Sequence, residues 1–185
     1  MSDASELLKQ ATALKREGNL DSAIAAIERA LGRVGVGDSK RQQAHGKRIS
    51  YLILAERPDD ALAAADEMLG EATAQAMGMI DLVGTSYAIA YRQRAKAWVA
   101  KGDREASLMD EVRASWHWQR AMRLQGRDKR EHTPKRAAKD LMEPIEGLGL
   151  SLKRKTVMDL TSAGLQDPDS EAMVERFRRA LVELK

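Results

Sequence analysis

The sequence contains no cysteine, and its 185 residues include only seven aromatic side chains and four prolines. Without a thiolate, the chain can form no disulfide, no cysteine-ligated zinc or iron–sulfur site and no cysteine nucleophile. Scarce proline leaves long stretches able to form uninterrupted helices. The low aromatic content argues against a nucleic-acid surface built on stacked rings. These absences favour a helical fold without thiol chemistry.

Long hydrophobic runs are also absent. The longest apolar segment, around residues 50–55, is far shorter than the roughly 18 residues needed to cross a bilayer. The first ten residues lack the basic start and apolar block of a signal peptide. With 43% apolar and 32% charged residues, the composition is typical of a folded globular protein. We therefore expect a soluble, cytoplasmic protein with no membrane contact.

Apolar residues recur at helical spacing along the chain, and no segment shows the sustained alternation typical of a strand. Glycine and proline divide this pattern into nine predicted helices joined by short turns. The first should begin at Asp3, with Glu6 completing a capping box, and end at Gly18. The last should take Asp167 as N-cap and Pro168 as first residue. The predicted fold class is all-α, with antiparallel helical hairpins and a C-terminal helical extension.

The first hairpin carries a pattern of small and large apolar residues that recurs twice in weaker form. The positions in the first unit are Leu7, Ala11, Leu14, Gly18, Ala23 and Ile27. The second unit has Ile49, Leu52, Ala61, Ala65 and Met68. The third unit has Tyr91, Ala95, Trp98, Gly102 and Ala106. Small residues let two helices cross closely, and glycine supplies a tight turn. This pattern resembles the tetratricopeptide repeat over about residues 1–115.

The resemblance implies that the first helix of each hairpin lines a groove that binds another protein. The groove positions that it implies are Lys9, Thr12, Lys15, Lys47, Ser50, Arg92, Gln93 and Lys96. Because this set is basic, we expect the partner to present an acidic segment or peptide. The predicted function is a non-enzymatic adaptor or scaffold. Self-association stays open, since a short repeat stack has apolar ends.

Positive charge is concentrated in one segment. Residues 113–155 carry 12 basic and 5 acidic side chains, although the whole chain has a net charge of only +3. We divide the chain into a repeat-like domain, 1–125, and a basic loop with C-terminal helices, 126–185, packed on the first part. The basic patch comprises Arg113, Arg120, Arg123, Arg127, Lys129, Arg130, Lys135 and Arg136. Such a density suits phosphates, so nucleic-acid binding through 113–155 is the alternative function.

Two tryptophans lie inside this basic segment. Trp116 and Trp118 are two residues apart on a predicted helix, so they project roughly 200° apart. An exposed tryptophan beside arginines would anchor a partner protein or stack on a base. The alternative, which we prefer, is that the C-terminal helices fold back over both rings.

No pattern of catalytic residues emerges. The segment 32–39 approaches a phosphate-binding loop, but Asp38 stands where that motif needs lysine and would repel phosphate. The three histidines, His45, His117 and His132, share no metal-ligand spacing. The sequence therefore predicts neither an enzyme nor a metal or cofactor site.

Overall fold

A computed structural model describes residues 3–76, 80–126 and 134–183, with the side chains of 80–83 excepted. Within these ranges the chain forms helices and no strand, which confirms the all-α prediction. No helix in the described ranges is both long enough and apolar enough to cross a membrane. The helices are α1 (Ala4–Arg16), α2 (Leu20–Leu31), α3 (Ser39–Leu54), α4 (Pro58–Ala76), α5 (Ile80–Lys101), α6 (Arg104–Leu124), α7 (Pro134–Gly147), α8 (Arg154–Gly164) and α9 (Ser170–Val182).

Consecutive helices pack as antiparallel pairs. Hydrogen bonds join α5 to α4 at regular intervals in opposite chain directions: Tyr87 to Thr73, Arg94 to Asp66, and Lys101 to Asp59. These steps of seven residues on each helix keep the same side of α5 against the same side of α4. Helices α7 and α9 both pack on α6, so the C-terminal helices are joined to the hairpins through α6.

The turns that close the first three hairpins share one conformation. Gly18, Glu56 and Gly102 have positive φ angles of 80°, 57° and 90°. In each turn the next N–H donates a 2.9 Å hydrogen bond to the carbonyl five residues earlier: Asn19 to Leu14, Arg57 to Leu52, and Asp103 to Trp98. This is the Schellman arrangement, which satisfies carbonyls left unpaired at a helix end. Glycine adopts it readily, whereas Glu56 occupies a left-handed conformation at a cost.

Apolar side chains form two clusters, one from α1 to α5 and one from α6 to α9. The largest fully buried side chain, Phe177, belongs to the second cluster. Helices α5 and α6 lie in close contact at Gly84, where an added Cβ would lie 2.8 Å from the Cβ of Ala121. That separation is too short for two carbons, so only glycine fits between these helices. The close pair α5/α6 therefore holds the two clusters together.

A buried carboxylate links four helices. Asp110 on α6 is 1% exposed and accepts hydrogen bonds of 2.7 and 2.9 Å from Arg94 on α5. Arg113, one turn further along α6, donates a third at 2.9 Å. Arg94 also binds Asp66 on α4 at 2.7 Å, and Arg113 also binds Glu171 on α9 at 2.6 Å. These partners raise the pKa of both arginines and lower the pKa of Glu171.

The first helix begins after Asp3 as predicted, but the capping of two helices differs from the prediction. The Asp3 side chain makes no capping hydrogen bond, and Glu6 accepts from Lys9 instead of completing a capping box. Helix α9 begins at Ser170, with Asp169 as its N-cap. Asp167 lies outside the helix because both of its carboxylate oxygens accept hydrogen bonds from Arg176.

Replacing Glu56 with glycine is expected to raise the free energy of unfolding by about 0.5–1 kcal/mol. The change relieves a left-handed conformation that costs a non-glycine residue about 1–2 kcal/mol, and the added unfolded-state freedom of glycine offsets part of the gain. Urea denaturation measures the difference. The matched variant Gly18→Ala should lower stability by about 1 kcal/mol. An unchanged or less stable Glu56→Gly protein would contradict the assignment.

Replacing Asp110 with asparagine is expected to lower the free energy of unfolding by about 3 kcal/mol, because it leaves two partly buried arginines without their shared carboxylate. The control Asp59→Asn removes the exposed ion pair between Asp59 on α4 and Lys101 on α5. It should lower the free energy of unfolding by less than about 1 kcal/mol. Both are read from urea denaturation midpoints. Similar decreases in the free energy of unfolding of the two variants would contradict a larger stabilising contribution from the buried network.

Candidate functional site

The first helices of the three hairpins, α1, α3 and α5, lie side by side. Lys47 on α3 donates a 2.8 Å hydrogen bond to Thr12 Oγ1 on α1. A Cβ placed on Gly46 of α3 would lie 3.6 Å from the amide nitrogen of Gln93 on α5. We call the surface around Thr12, Lys47 and Gln93 the α1/α3/α5 face. The other predicted groove residues lie one position away or one turn along the same helices: Lys9, Lys15, Ser50, Arg92 and Lys96.

Lysines supply much of the positive charge on this face. Lys15 and Lys96 are exposed, and Lys47 is half-buried; none of the three forms an ion pair within the described residues. Lys9 pairs with Glu6 at 2.9 Å, one turn earlier on the same helix. Lys15 and Lys47 therefore remain available for an anionic ligand, whereas Lys96 also lies near Glu111 on α6.

The polar residues of the face behave differently from one another. The hydroxyls of Thr12 and Ser50 donate to carbonyls one turn earlier in their own helices, at 2.9 and 2.8 Å. The carbonyl oxygen of the Gln93 side chain is buried and accepts no hydrogen bond within the described structure. A buried acceptor without a donor is costly, so this amide lowers the stability of the fold and is not reachable by a ligand on the face.

Arg92 is directed away from the other groove residues. Its guanidinium lies 3.9 Å from Glu111 on α6, 3.7 Å from Asp140 on α7, and 5.5 Å from the centre of the Trp118 ring. Burial raises the pKa of Glu111, an effect that Arg92 partly offsets. Beside these groups a cavity of about 480 Å³ opens between α5, α6 and α7, with Lys96 and Val99 on its wall. The positive part of the face therefore ends at Lys96.

The described members of the predicted basic patch differ in environment. Arg113 is held by Asp110 and Glu171. The Arg120 guanidinium lies 5.0 Å from the centre of the Trp116 ring, and Arg123 is exposed beside it at the end of α6. Lys135 and Arg136 are exposed at the start of α7. The remaining three predicted members lie outside the described residues: Arg127, Lys129 and Arg130.

The two tryptophans differ in environment. Trp116 is 6% exposed and packs in the second apolar cluster with residues from α7, α8 and α9. Trp118 is half-buried and lies between Arg92 and the start of α7. The C-terminal helices therefore cover Trp116 fully and Trp118 in part, and neither ring is an exposed anchor.

A histidine lies within an aromatic stack between α5 and α6. The His117 ring stacks on Tyr87 and Tyr91 at centroid distances of 4.7 and 5.6 Å, and meets Trp116 edge-on at 5.0 Å. Burial, together with the nearby charge of Arg120, lowers the pKa of His117 to about 4. The imidazole is therefore neutral near pH 7 and acts as part of the packing.

A second polar cluster, not predicted from the sequence, lies between α3 and α4. His45 is 1% exposed, and its Nε2 lies 3.2 Å from Oε2 of Glu71. One nitrogen or oxygen from each of His45, Glu67 and Glu71 lies within 4.8 Å of the others. The spacing of four residues between the two glutamates was a usable signal, because it places both on one side of a helix. The position of His45 opposite them depends on how α3 packs on α4.

The fold and these residues define an all-α protein of antiparallel helical hairpins with a basic face on three of its helices. Comparisons of the chain with protein-family models, with curated proteins and with solved structures found no match.

Stability is expected to fall as the pH drops from 6.5 towards 4, in part because of His117. In this interval the unfolded chain protonates His117 whereas the folded protein does not, so the unfolded state binds more protons and acid favours unfolding. The depressed pKa corresponds to about 2–3 kcal/mol over the interval. Urea midpoints of the wild type and of His117→Phe, measured at pH 7 and pH 4.5, isolate this contribution. Parallel pH profiles in the two proteins would contradict it.

Proposed function

We propose that this protein is a non-enzymatic adaptor that binds an acidic segment of another protein across the α1/α3/α5 face. The observation that carries the proposal is the position of Lys15, Lys47 and Lys96 on three adjacent helices, with none of the three in an ion pair of 4.0 Å or less among the described residues. Ammonium groups bind carboxylates through charge-assisted hydrogen bonds. Rigid helices fix the spacing of these groups, which favours an extended ligand lying across them.

The shared turns of the hairpins support the proposal. The same Schellman turn ends α1, α3 and α5, although the second turn has Glu56 where the other two have glycine. A repeated turn gives each hairpin a similar geometry, so the first helices are presented to one side. This agrees with the resemblance of the sequence to tetratricopeptide repeats, whose first helices line a ligand groove.

The face also offers contacts other than charge. Leu54 and Val99 are 53% and 55% exposed near the ends of α3 and α5. Exposed apolar side chains beside unpaired lysines suit a segment in which acidic and apolar residues are mixed. The lysines would select and orient this segment, and the apolar contacts would slow its release.

The test is a selection of binding peptides from a random 12-residue phage library on the wild-type protein. The enriched peptides should be acidic, and their affinity should fall at least about tenfold in the variant Lys15→Glu/Lys47→Glu/Lys96→Glu, as expected for the loss of three charge pairs. Fluorescence anisotropy with the labelled peptides gives the Kd. The control Arg29→Glu/Arg33→Glu/Arg154→Glu reverses three exposed charges elsewhere and should stay within about threefold. Enriched peptides without acidic residues, or equal losses in both variants, would contradict the proposal.

Nucleic-acid binding is the competing function and has its own measurement. Labelled duplex DNA and single-stranded RNA are titrated with the protein at about 50 and 200 mM salt, where phosphate contacts give a steep loss of affinity. We expect only weak binding, because Arg113 is held by carboxylates and Arg120 lies over Trp116. Sub-micromolar binding that Arg123→Glu/Lys135→Glu abolishes would favour the nucleic-acid function instead.

A further inference from the structure

We propose that His45, Glu67 and Glu71 bind one divalent transition-metal ion, with Zn²⁺ as the preferred ion. The three side chains come from facing positions on α3 and α4, and a nitrogen or oxygen of each lies within 4.8 Å of the others. The site is separate from the proposed peptide-binding face, because His45 and Lys47 are two residues apart and project from α3 in nearly opposite directions.

The separation of the first two ligands is short enough for both to bind one metal ion. His45 Nε2 lies 3.2 Å from Glu71 Oε2, yet neither ring nitrogen has a hydrogen-bond partner within the described structure. The ring is therefore not oriented to donate to the carboxylate. Two ligands bound tetrahedrally to Zn²⁺ at about 2.0–2.1 Å lie roughly 3.3–3.4 Å apart. The observed separation is close to that edge length.

The burial of the His45 ring supports a ligand at this position. His45 is 1% exposed, so water does not surround its nitrogens, and an imidazole left without partners in such a place is destabilising. His45 and Glu71 also line a cavity of about 170 Å³, which is bounded by polar side chains such as Gln42 and Gln75. This cavity gives an ion a path to the ring and leaves room for water at the remaining coordination positions.

Two arginines hold the carboxylates in place. Arg41 binds both oxygens of Glu71 and is itself fixed by the carbonyls of Leu31 and Val34, at 2.7 and 2.9 Å. Such outer contacts orient ligating carboxylates in metal sites. Each carboxylate oxygen has two lone pairs, so these hydrogen bonds do not exhaust the capacity of Glu71 to bind a metal.

Glu67 is oriented in the same way and keeps one oxygen available. Arg48 donates to its Oε2 at 2.6 Å, whereas Oε1 has no hydrogen bond within the described residues. Arg48 also approaches Glu28 at 3.4 Å, so three carboxylates and two guanidinium groups surround the site. The surplus of negative charge offsets part of the charge of a divalent ion.

The ligand types select the class of metal. One imidazole and two carboxylates suit first-row divalent ions such as Zn²⁺ and Co²⁺. Ca²⁺ takes six to eight oxygen ligands, and Mg²⁺ is bound mainly through carboxylates and water. We therefore expect Zn²⁺ to bind in the presence of an excess of Mg²⁺ or Ca²⁺.

The test is calorimetric titration of the metal-free full-length protein with Zn²⁺, with ¹⁵N NMR of the imidazole rings as a second readout. The expected result is one Zn²⁺ per chain, together with a large shift of the His45 Nε2 resonance and little change at His117. Millimolar Mg²⁺ and Ca²⁺ should leave the Zn²⁺ affinity within about twofold. Absence of binding, or a shift confined to another histidine, would overturn the proposal.

Variants distinguish the loss of a metal ligand from the loss of a nearby negative charge. Glu67→Gln and His45→Gln should each weaken Zn²⁺ binding at least about tenfold, as expected when a ligand is lost. The matched control Glu28→Gln removes the same charge near Arg48 without removing a ligand and should stay within about twofold. Glu67 is largely exposed, so Glu67→Gln should fold even if His45→Gln does not. Equal effects of Glu67→Gln and Glu28→Gln would overturn the assignment of the ligands.

Discussion

The buried carboxylate of Asp110 constrains the arrangement of the helices more than any other single group. A charge that is 1% exposed must be paired, and its partners Arg94 and Arg113 reach on to Asp66 and Glu171. Because each arginine holds its carboxylates at hydrogen-bond distance, α4, α5, α6 and α9 fit together in one register. The two apolar clusters contribute most of the burial, but this network fixes how they are joined.

Much of the fold follows from local sequence, and its departures arise from contacts between distant residues. Gly18 and Gly102 were predictable turn positions because glycine favours positive φ, and the apolar spacing predicted the helices between them. The start of α9 was not predictable in the same way. Asp167 and Asp169 are both good N-cap residues, and the pairing of Asp167 with Arg176 leaves Asp169 as the cap.

The candidate sites likewise combine features that local sequence predicts with features that depend on contacts between distant residues. Charge counting identified the basic residues in 113–155, but it could not tell that Arg113 is already neutralised by Asp110 and Glu171. Histidine spacing predicted no metal ligands, because His45 meets Glu67 and Glu71 only once α3 packs on α4. Asp110 is the central residue of the buried network. Registers between helices decide such pairings, and sequence spacing within a helix does not reveal them.

The arginines and the lysines of this protein differ in what they contact. The partly buried pairs described above use arginine, namely Arg41, Arg94 and Arg113, whose planar guanidinium can hold two carboxylate oxygens at once. The unpaired cations of the α1/α3/α5 face are lysines. An ammonium group is a compact, strongly hydrated charge on a flexible stem, so it stabilises little within the fold but adapts to an incoming carboxylate. Binding through such groups is expected to be salt-sensitive and of moderate strength, which suits an adaptor that releases its partner.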